Sequence, residues 1–495
     1  MKIKKEMTEK QIVVFLIIIS YLTRILISQF FVMFPYIPHD FYAYVGAGKC
    51  MVESKYLMID CPIWVSPGAE KITTYGPFFS TLMMIWYSIF GEYNFFMFKL
   101  PAIVFDVLNT LMIFFISRKF FNQKQSFYLS LLYCFSFIVL YNSAVLGNDE
   151  VISIFFILSG SYFLINKKFL LSAVFYATSL MFKTVGLIIL PAVFYYTLKK
   201  YGFKNSIKYA VLICAIYFIF LSPFIYLAGW EKSTYYIFGS PDALQQTGGA
   251  MSFYNIFAYV TDVKIDFLLA PLLTLSLLTT VCLFFLYSLK NREIELFRNF
   301  ALLWTVALLF SGELSGPYPY LIFPYLLIIL GKNFESKELI TRRWFFGLSL
   351  ILISLLILSI IYRWGTIQYT IFDRVLLLTA VILAPLGTYN ILHNVKKNYK
   401  LVWTVIILAS IMFEELHAAP LVILPMEKLA DKLIDTSKMK IVMELYGDHI
   451  DSKSKFLAYG IFYGGAAVIM WIGLICLIYL ILKDRMNDDL KTLQN

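Results

Sequence analysis

The stretch GNDEVISIFFILSGSYFLINKKFLLSAVFYATSLMFKTVGLIILPAVFYY, residues 147–196, decides the fold. Three apolar runs, 151–166, 169–182 and 184–198, are separated only by the Lys167-Lys168 pair and by Lys183. An α-helix rises about 1.5 Å per residue and a bilayer's hydrocarbon core is about 30 Å thick, so about 20 apolar residues make a full span. These runs are shorter, and they read as short membrane helices joined by tight turns. The alternation puts Lys167-Lys168 on one side of the membrane, with Asp149, Glu150 and Lys183 on the other.

The same punctuation continues along the whole chain. Of its 495 residues 60% are hydrophobic, 18% aromatic and 15% charged, with a mean hydropathy of +0.75, far from a soluble globular composition. Spans are read near 11–31, 95–117, 126–145, 151–166, 169–182, 184–198, 207–229, 265–289, 297–313, 316–331, 344–362, 373–394, 401–420 and 459–482. That is about fourteen helices, an all-α polytopic membrane protein with both termini on one side. No polar stretch leaves room for a separate soluble domain. The run 11–31 is long enough to stay as an anchor, and no small-residue cleavage site follows it.

Charge supports this layout. The formal net charge of +11 comes from short clusters: residues 1–10, Arg118-Lys119, Lys167-Lys168, Lys199-Lys200, Lys290 with Arg292, Arg342-Arg343, Lys396-Lys397 and Lys483 with Arg485. All fall on one face if the spans alternate as drawn, which makes that face cytoplasmic and the excess charge a matter of topology, with no nucleic acid implied. Residues 76–90 must then not cross, and at about 22 Å they are too short to do so, so they read as a re-entrant or juxtamembrane helix. Loops 32–94, 230–264 and 421–458 remain outside. The last, with EKLADKLIDTSKMK at 427–440, has the charge spacing of an amphipathic surface helix.

Several chemistries lack support. His39, His393, His417 and His449 are scattered, without metal-ligand spacing. GAGKC, residues 46–50, lacks the upstream glycine and the Ser/Thr of a phosphate loop, so no nucleotide hydrolysis is evident and no cofactor is implied. Cys134, Cys214, Cys282 and Cys476 lie in apolar segments, whereas Cys50 and Cys61 share the first external loop and form the one plausible disulfide pair.

What remains is a set of polar residues at outward span ends. Asp40 opens a surface helix after the first span, and local sequence leaves helix cap and catalyst both open. Asp149 and Glu150 stand at the outer end of the third span, where Asp149 also fits an N-cap. Lys183 occupies an outer turn, where snorkelling to the interface is the plain alternative. Glu313 sits in the turn SGELSGPYPY, residues 311–320, and Glu414-Glu415 end the thirteenth span. Within the bilayer Arg24 and Asp106 are isolated charges, and pairing with each other across the first two spans would answer their cost.

Taken in order, these segments resemble the GT-C superfamily of integral membrane glycosyltransferases, which draw sugars from polyprenyl-phosphate carriers on the extracytoplasmic side. The first match is HDFYAYVGAGKCMVESKYLMID with ITTYGPFFSTLMMIWYSIFG, residues 39–60 and 72–91. Asp40, Tyr44, Tyr56 and Tyr75-Gly76-Pro77 fit the family's pattern there, with Gly76 in place of the usual first proline. The second is the block 147–196, similar to the family's acidic outer turn, short helical pair and lysine before an apolar Leu-Pro. The third and looser match is SGPYPYLIFPYLLIIL, residues 315–330, which carries Tyr318. The family's His or Arg near that helix has no counterpart, leaving Lys183, Lys232 or Arg363 to meet a donor phosphate.

The resemblance covers residues 10–200 and, loosely, 300–331. It implies a catalytic module over 1–331, including loop 32–94, followed by additional helices over 332–495. It further implies transfer of a sugar, a hexose such as mannose, from a polyprenyl-phosphate donor to a hydroxyl of a glycan, lipid or protein, with inversion. Asp40, Asp149 and Glu150 are its catalytic candidates, and Lys183, Tyr44, Tyr75, Glu313 and Tyr318 its substrate-binding ones. The other readings are a transporter or flippase for a lipid-linked or polar solute, whose expected inverted repeats are not found, and a glycan polymerase or ligase. Reporter fusions after Lys119, Lys200 and Arg343 should report cytoplasm, and those after Met51, Gly249 and Lys440 the exterior. A cytoplasmic signal at Met51 would put Asp40 on the wrong side.

Overall fold

In a computed structural model of the chain, the described residues are 7–32, 46, 48–49, 51–53, 63–66, 69–71, 76–91, 95–230, 293–310, 318–333, 340–364, 371–412 and 453–493. They form two units: Met1–Ala243 with Asn291–Phe297 and Pro324–Lys332, and Leu244–Lys290 with Arg298–Phe323 and Asn333–Asn495. The expected sites Asp40, Tyr44, Tyr56, Tyr75, Glu313, Lys232, Glu414 and Glu415, the pair Cys50 and Cys61, the span 265–289 and the loop 421–458 lie outside the described residues.

The first unit runs through α1 (Glu9–Val32), the strands β1 (Ile63–Ser66) and β2 (Ala69–Lys71), α2 (Pro77–Phe90), α3 (Phe95–Ser117), α4 (Gln123–Cys134), α5 (Phe137–Leu140), α6 (Glu150–Ile165), α7 (Phe169–Phe182), α8 (Leu190–Tyr201) and α9 (Phe203–Ala228). The architecture is helical as expected, and the two strands are a local exception that pairs antiparallel within the first loop. Its sequence, IWVS then Pro67-Gly68 then AEK, combines β-favouring residues with a turn dipeptide.

Among the described residues five helices are long and apolar enough to cross a membrane, within 9–30, 96–117, 203–227, 342–359 and 465–487. The chain is thus a multi-pass membrane protein. The expected single span 126–145 is instead broken at Phe135-Ser136 and bent by 54° between α4 and the segment 137–146, whose second half is a wide π-type turn over Tyr141–Leu146. Residues 76–90 form the expected short helix, α2.

Two interactions show why this unit packs as it does. Arg24 and Asp106 are fully buried, and Arg24 Nε donates to Asp106 Oδ2 at 2.6 Å, joining α1 to α3 as their cost in an apolar medium requires. The Tyr133 hydroxyl donates to Asp106 Oδ1 at 2.6 Å and brings in α4, while Arg24 Nη1 donates to the Ser20 carbonyl. The second concerns Pro101, inside α3, which has no N–H for the carbonyl of Met97 four residues back. The indole of Trp86 takes that acceptor, Nε1 donating to Met97 O at 2.6 Å, and so ties α2 to α3. Beneath, Phe79 and Met83 of α2 pack with Phe98, Ile152 and Phe182 into one apolar cluster.

On the opposite ends of these helices, Lys200 of α8 bridges Glu293 and the Tyr196 hydroxyl. Burial pulls its ammonium down, but those two bonds more than offset it and hold Lys200 above the usual lysine range.

The chain continues through α10 (Ile294–Phe310) and α11 (Phe323–Leu330), which straddle the unit boundary, to α12 (Arg342–Trp364), α13 (Ile371–Ile391), α14 (Lys397–Ile411) and α15 (Lys453–Leu493). In the second unit α12 and α13 approach closely, because a Cβ on Gly347 would stand 2.7 Å from the Gly387 carbonyl oxygen. Phe323 stacks on Trp403 of α14, with centroids 4.9 Å apart.

Breaking the buried pair from one side should be costly. Arg24→Met is expected to destabilise the protein by about 3–5 kcal/mol, and Arg24→Met/Asp106→Leu to recover most of that loss. Unfolding of the purified protein in detergent checks it; a single variant as stable as wild type would mean that the pair does not hold α1.

Candidate active site

The residues brought together lie at one end of the first unit, where α2, α3 and α6 begin and α7 ends. The chain reaches it through Gly147, whose φ of +73° is the left-handed conformation that closes the turn over 141–146. Asn148 then folds back on Asn142: its N–H donates to the Asn142 carbonyl at 3.0 Å and its Nδ2 to Asn142 Oδ1 at 2.9 Å. This clasp fixes the following two carboxylates.

Asp149 occupies the N-cap position of α6, yet its side chain makes no capping hydrogen bond. Its Oδ1 instead accepts from Lys183 Nζ at 3.0 Å, and Glu150 Oε1 accepts from the same nitrogen at 2.5 Å. The two carboxylates are 1% and 5% exposed, so the lysine compensates charges that water does not reach. Glu150 also sits in the first turn of α6, where the helix dipole favours an anion. Lys183 is held for this contact by an extended backbone, φ −157° and ψ 144°, between α7 and the 3-10 turn Thr184–Ile189. It is an ion-pair partner, which the snorkelling alternative did not provide for.

The start of α2 docks on the same turn. The Gly76 N–H donates to the Phe182 carbonyl at 3.0 Å. A Cβ at Gly76 would stand 2.1 Å from the Met181 carbonyl oxygen, so only glycine permits this approach. Proline could not make this contact either, since it has no N–H to donate.

Lys99, which the sequence reading passed over as part of a span, lies one turn inside α3 and is 3% exposed. Its Cγ is 3.0 Å from where a Cβ on Gly147 would be, which places its stem against the turn that leads to Asp149. A lysine within an apolar run was the available signal. Asn109 of α3 supports the arrangement, its Nδ2 donating to the Val151 carbonyl of α6 at 2.9 Å.

Other expected residues are elsewhere. Tyr318 opens a 3-10 turn, Tyr318–Leu321, in the second unit, and Arg363 lies in α12 of that unit. No cluster of His, Cys, Asp and Glu suited to a metal ion occurs among the described residues.

Residues 74–227 match the family model described as dolichyl-phosphate-mannose-protein mannosyltransferase. Gly76, Lys99, Asp149, Glu150 and Lys183 all fall inside that segment, and the resemblance to GT-C glycosyltransferases has its support there. No curated protein matches the chain. A crystal structure of ArnT from Cupriavidus metallidurans, bound to undecaprenyl phosphate, is similar over 93% of this chain and 77% of that one, with 14% identity and a TM-score of 0.45.

Removing Lys183 leaves two buried carboxylates without their shared cation. Lys183→Met should therefore lower stability by about 3–5 kcal/mol, and Lys183→Met/Glu150→Gln should regain part of it. Thermal unfolding in detergent distinguishes this from a merely interfacial lysine, for which Lys183→Met would melt like wild type.

Proposed function

We propose that the protein is a membrane glycosyltransferase that moves a sugar, a hexose such as mannose, from a polyprenyl-phosphate carrier to an acceptor hydroxyl on the extracytoplasmic side. The observation that carries this reading is the family match over 74–227, which encloses the buried Asp149–Glu150–Lys183 group and the start of α2 beside it. The acceptor is a glycan, lipid or protein. The catalytic module is assigned to 1–331.

The chemistry asks little beyond what such a site offers. A carboxylate accepts the proton of the acceptor hydroxyl as its oxygen attacks the anomeric carbon, and the bond to the carrier phosphate breaks on the opposite face, so the configuration inverts. The phosphate leaves with the bonding electrons as an anion, which a nearby cation stabilises. We assign the base to Asp40, from its place after the first span and the family's aspartate there. Asp149 is the competing carboxylate, supported by its burial and its position beside Glu150. Lys183, already shared by both carboxylates, remains assigned with Tyr44, Tyr75, Glu313 and Tyr318 to substrate binding.

Membranes containing the protein are to be incubated with a panel of labelled polyprenyl-phosphate sugars. Transfer from none of them would sink the reading. With a working donor, Asp40→Asn should reach the membrane normally yet transfer on the order of 10²-fold more slowly, the usual worth of general-base catalysis. If Asp149→Asn fails while Asp40→Asn turns over near normally, the base is Asp149.

A further inference from the structure

We propose that the second unit holds an anionic phospholipid at the end where α12 and α14 begin. Arg343 and Lys400 meet the headgroup phosphate beside the Thr341–His393 pair, and exposed apolar side chains one turn along each helix meet the acyl chains. The inference does not rest on the transferase reading, and it concerns the face that the basic clusters mark.

The site is assembled by consecutive elements of one unit, in which α12 packs on α13 and α13 on α14. The turn after α13 presents His393, whose ring is held at both nitrogens. Nδ1 lies 3.2 Å from the Asn390 carbonyl, which only accepts, so Nδ1 carries the proton of the neutral ring and Nε2 accepts from the Thr341 hydroxyl at 2.9 Å. This bond fixes residue 341, and with it the start of α12, against the turn. From α14, Lys400 lays its ammonium over the Tyr389 ring, 4.2 Å from the centroid, which aims that cation back across the end of α13.

Positive charge converges there without its opposite. Burial first, and then the charges of Lys400 and Arg343, hold His393 below the usual histidine range, against backbone bonds at Asn390 and Ile391 that favour protonation. Two helices thus bring a cation to bear on one point. Among the described residues no carboxylate pairs with Arg342, Arg343, Lys397 or Lys400, and Asp484 of α15, which reaches this turn, is engaged by Lys396 at 3.2 Å. Like charges gathered in one place repel, and an anion between them relieves that repulsion. A phosphate, with several acceptor oxygens, satisfies two cations at once.

The surroundings select a lipid over free phosphate. Arg342 and Arg343 are exposed at the first turn of α12, and Phe345 and Phe346, 59% and 58% exposed, follow them along the helix. Phe346 is four and three residues on from the two arginines and so shares their face. On α14 the exposed Leu401 stands four residues from the exposed Lys397. Each helix therefore sets a cation above an outward apolar side chain. A phospholipid complements that arrangement, headgroup on charge and chain on the apolar surface, at the level where a bilayer changes from polar to apolar. Soluble phosphate leaves the apolar half uncovered.

The test uses the full-length protein in detergent, titrated with phosphatidylglycerol, phosphatidylcholine or inorganic phosphate, with binding read by ligand-induced thermal shift. The wild type should bind phosphatidylglycerol in preference to the other two. On the scale of one juxtamembrane cation's attraction to anionic lipid, Arg343→Gln should weaken phosphatidylglycerol about 5-fold and Arg343→Gln/Lys400→Gln about 30-fold. Arg343→Lys/Lys400→Arg keeps both charges and should stay near wild type. Without lipid, both neutralised variants should melt at or above the wild-type temperature, because they remove a repulsion. Lys204→Gln, which removes an exposed cation of the first unit, should leave binding unchanged.

Equal affinity of the double variant and wild type for phosphatidylglycerol would overturn the inference. So would an equal loss in Lys204→Gln, which would make the effect one of net charge, or phosphatidylcholine binding as tightly, which would take the anion out of it. Displacement of the lipid by inorganic phosphate at the same concentration would make the ligand a free ion and sink the lipid assignment. A double variant that melts below wild type without lipid would show the two cations to be structural, and would overturn the proposal as well.

Discussion

An ionised side chain inside an apolar helical bundle must find its opposite, and in this protein Lys183 does so twice. Its single ammonium holds Asp149 and Glu150 at the start of α6 from the end of α7. Because both carboxylates are buried, the contact sets where the two helices end as well as where the charges sit. The start of α2 is then positioned by the same turn, through the Gly76 N–H on the Phe182 carbonyl one residue before Lys183. The candidate site is in this sense a consequence of one charge compensation.

The principle extends down the unit. Arg24 and Asp106 meet away from that end and recruit Tyr133, so that α1, α3 and α4 share one polar junction within otherwise apolar surfaces. Hydrogen bonds of Asn109 to Val151 and of Ser179 to the Ser153 carbonyl repeat the pattern at lower charge, joining α3 to α6 and α6 to α7. Where lipid surrounds the helices, burial of apolar area discriminates little between partners, and such polar contacts carry more of the specificity.

The sequence made much of this legible, for physical reasons that differ by element. Long apolar periods announced α1, α3 and α9, and the basic pairs announced the turns, because both follow from the dimensions and charge preference of a bilayer. Arg24 and Asp106 were expected to pair, since two isolated charges in neighbouring spans have few other partners. The break at Phe135-Ser136 and the hairpin at 63–71 were not legible, because each depends on backbone choices that composition does not record. Local sequence left Asp149 between cap and catalyst, and the structure shows an N-cap position whose carboxylate is turned to Lys183 instead. Lys99 escaped notice because its helix looked complete, and its burial is a tertiary fact. Asp40, on which the sequence argument placed the mechanism, lies outside the described residues.

The contact between Trp86 and Pro101 couples two positions that look independent on paper. Proline at 101 frees the carbonyl that the indole at 86 occupies, so each residue creates the circumstance in which the other is favourable. Replacing the proline alone supplies an N–H that competes with the indole, and replacing the tryptophan alone leaves a carbonyl unsatisfied. In the divergence of related chains the two sites therefore constitute one unit of variation, in which a change at either alters which residues are acceptable at the other.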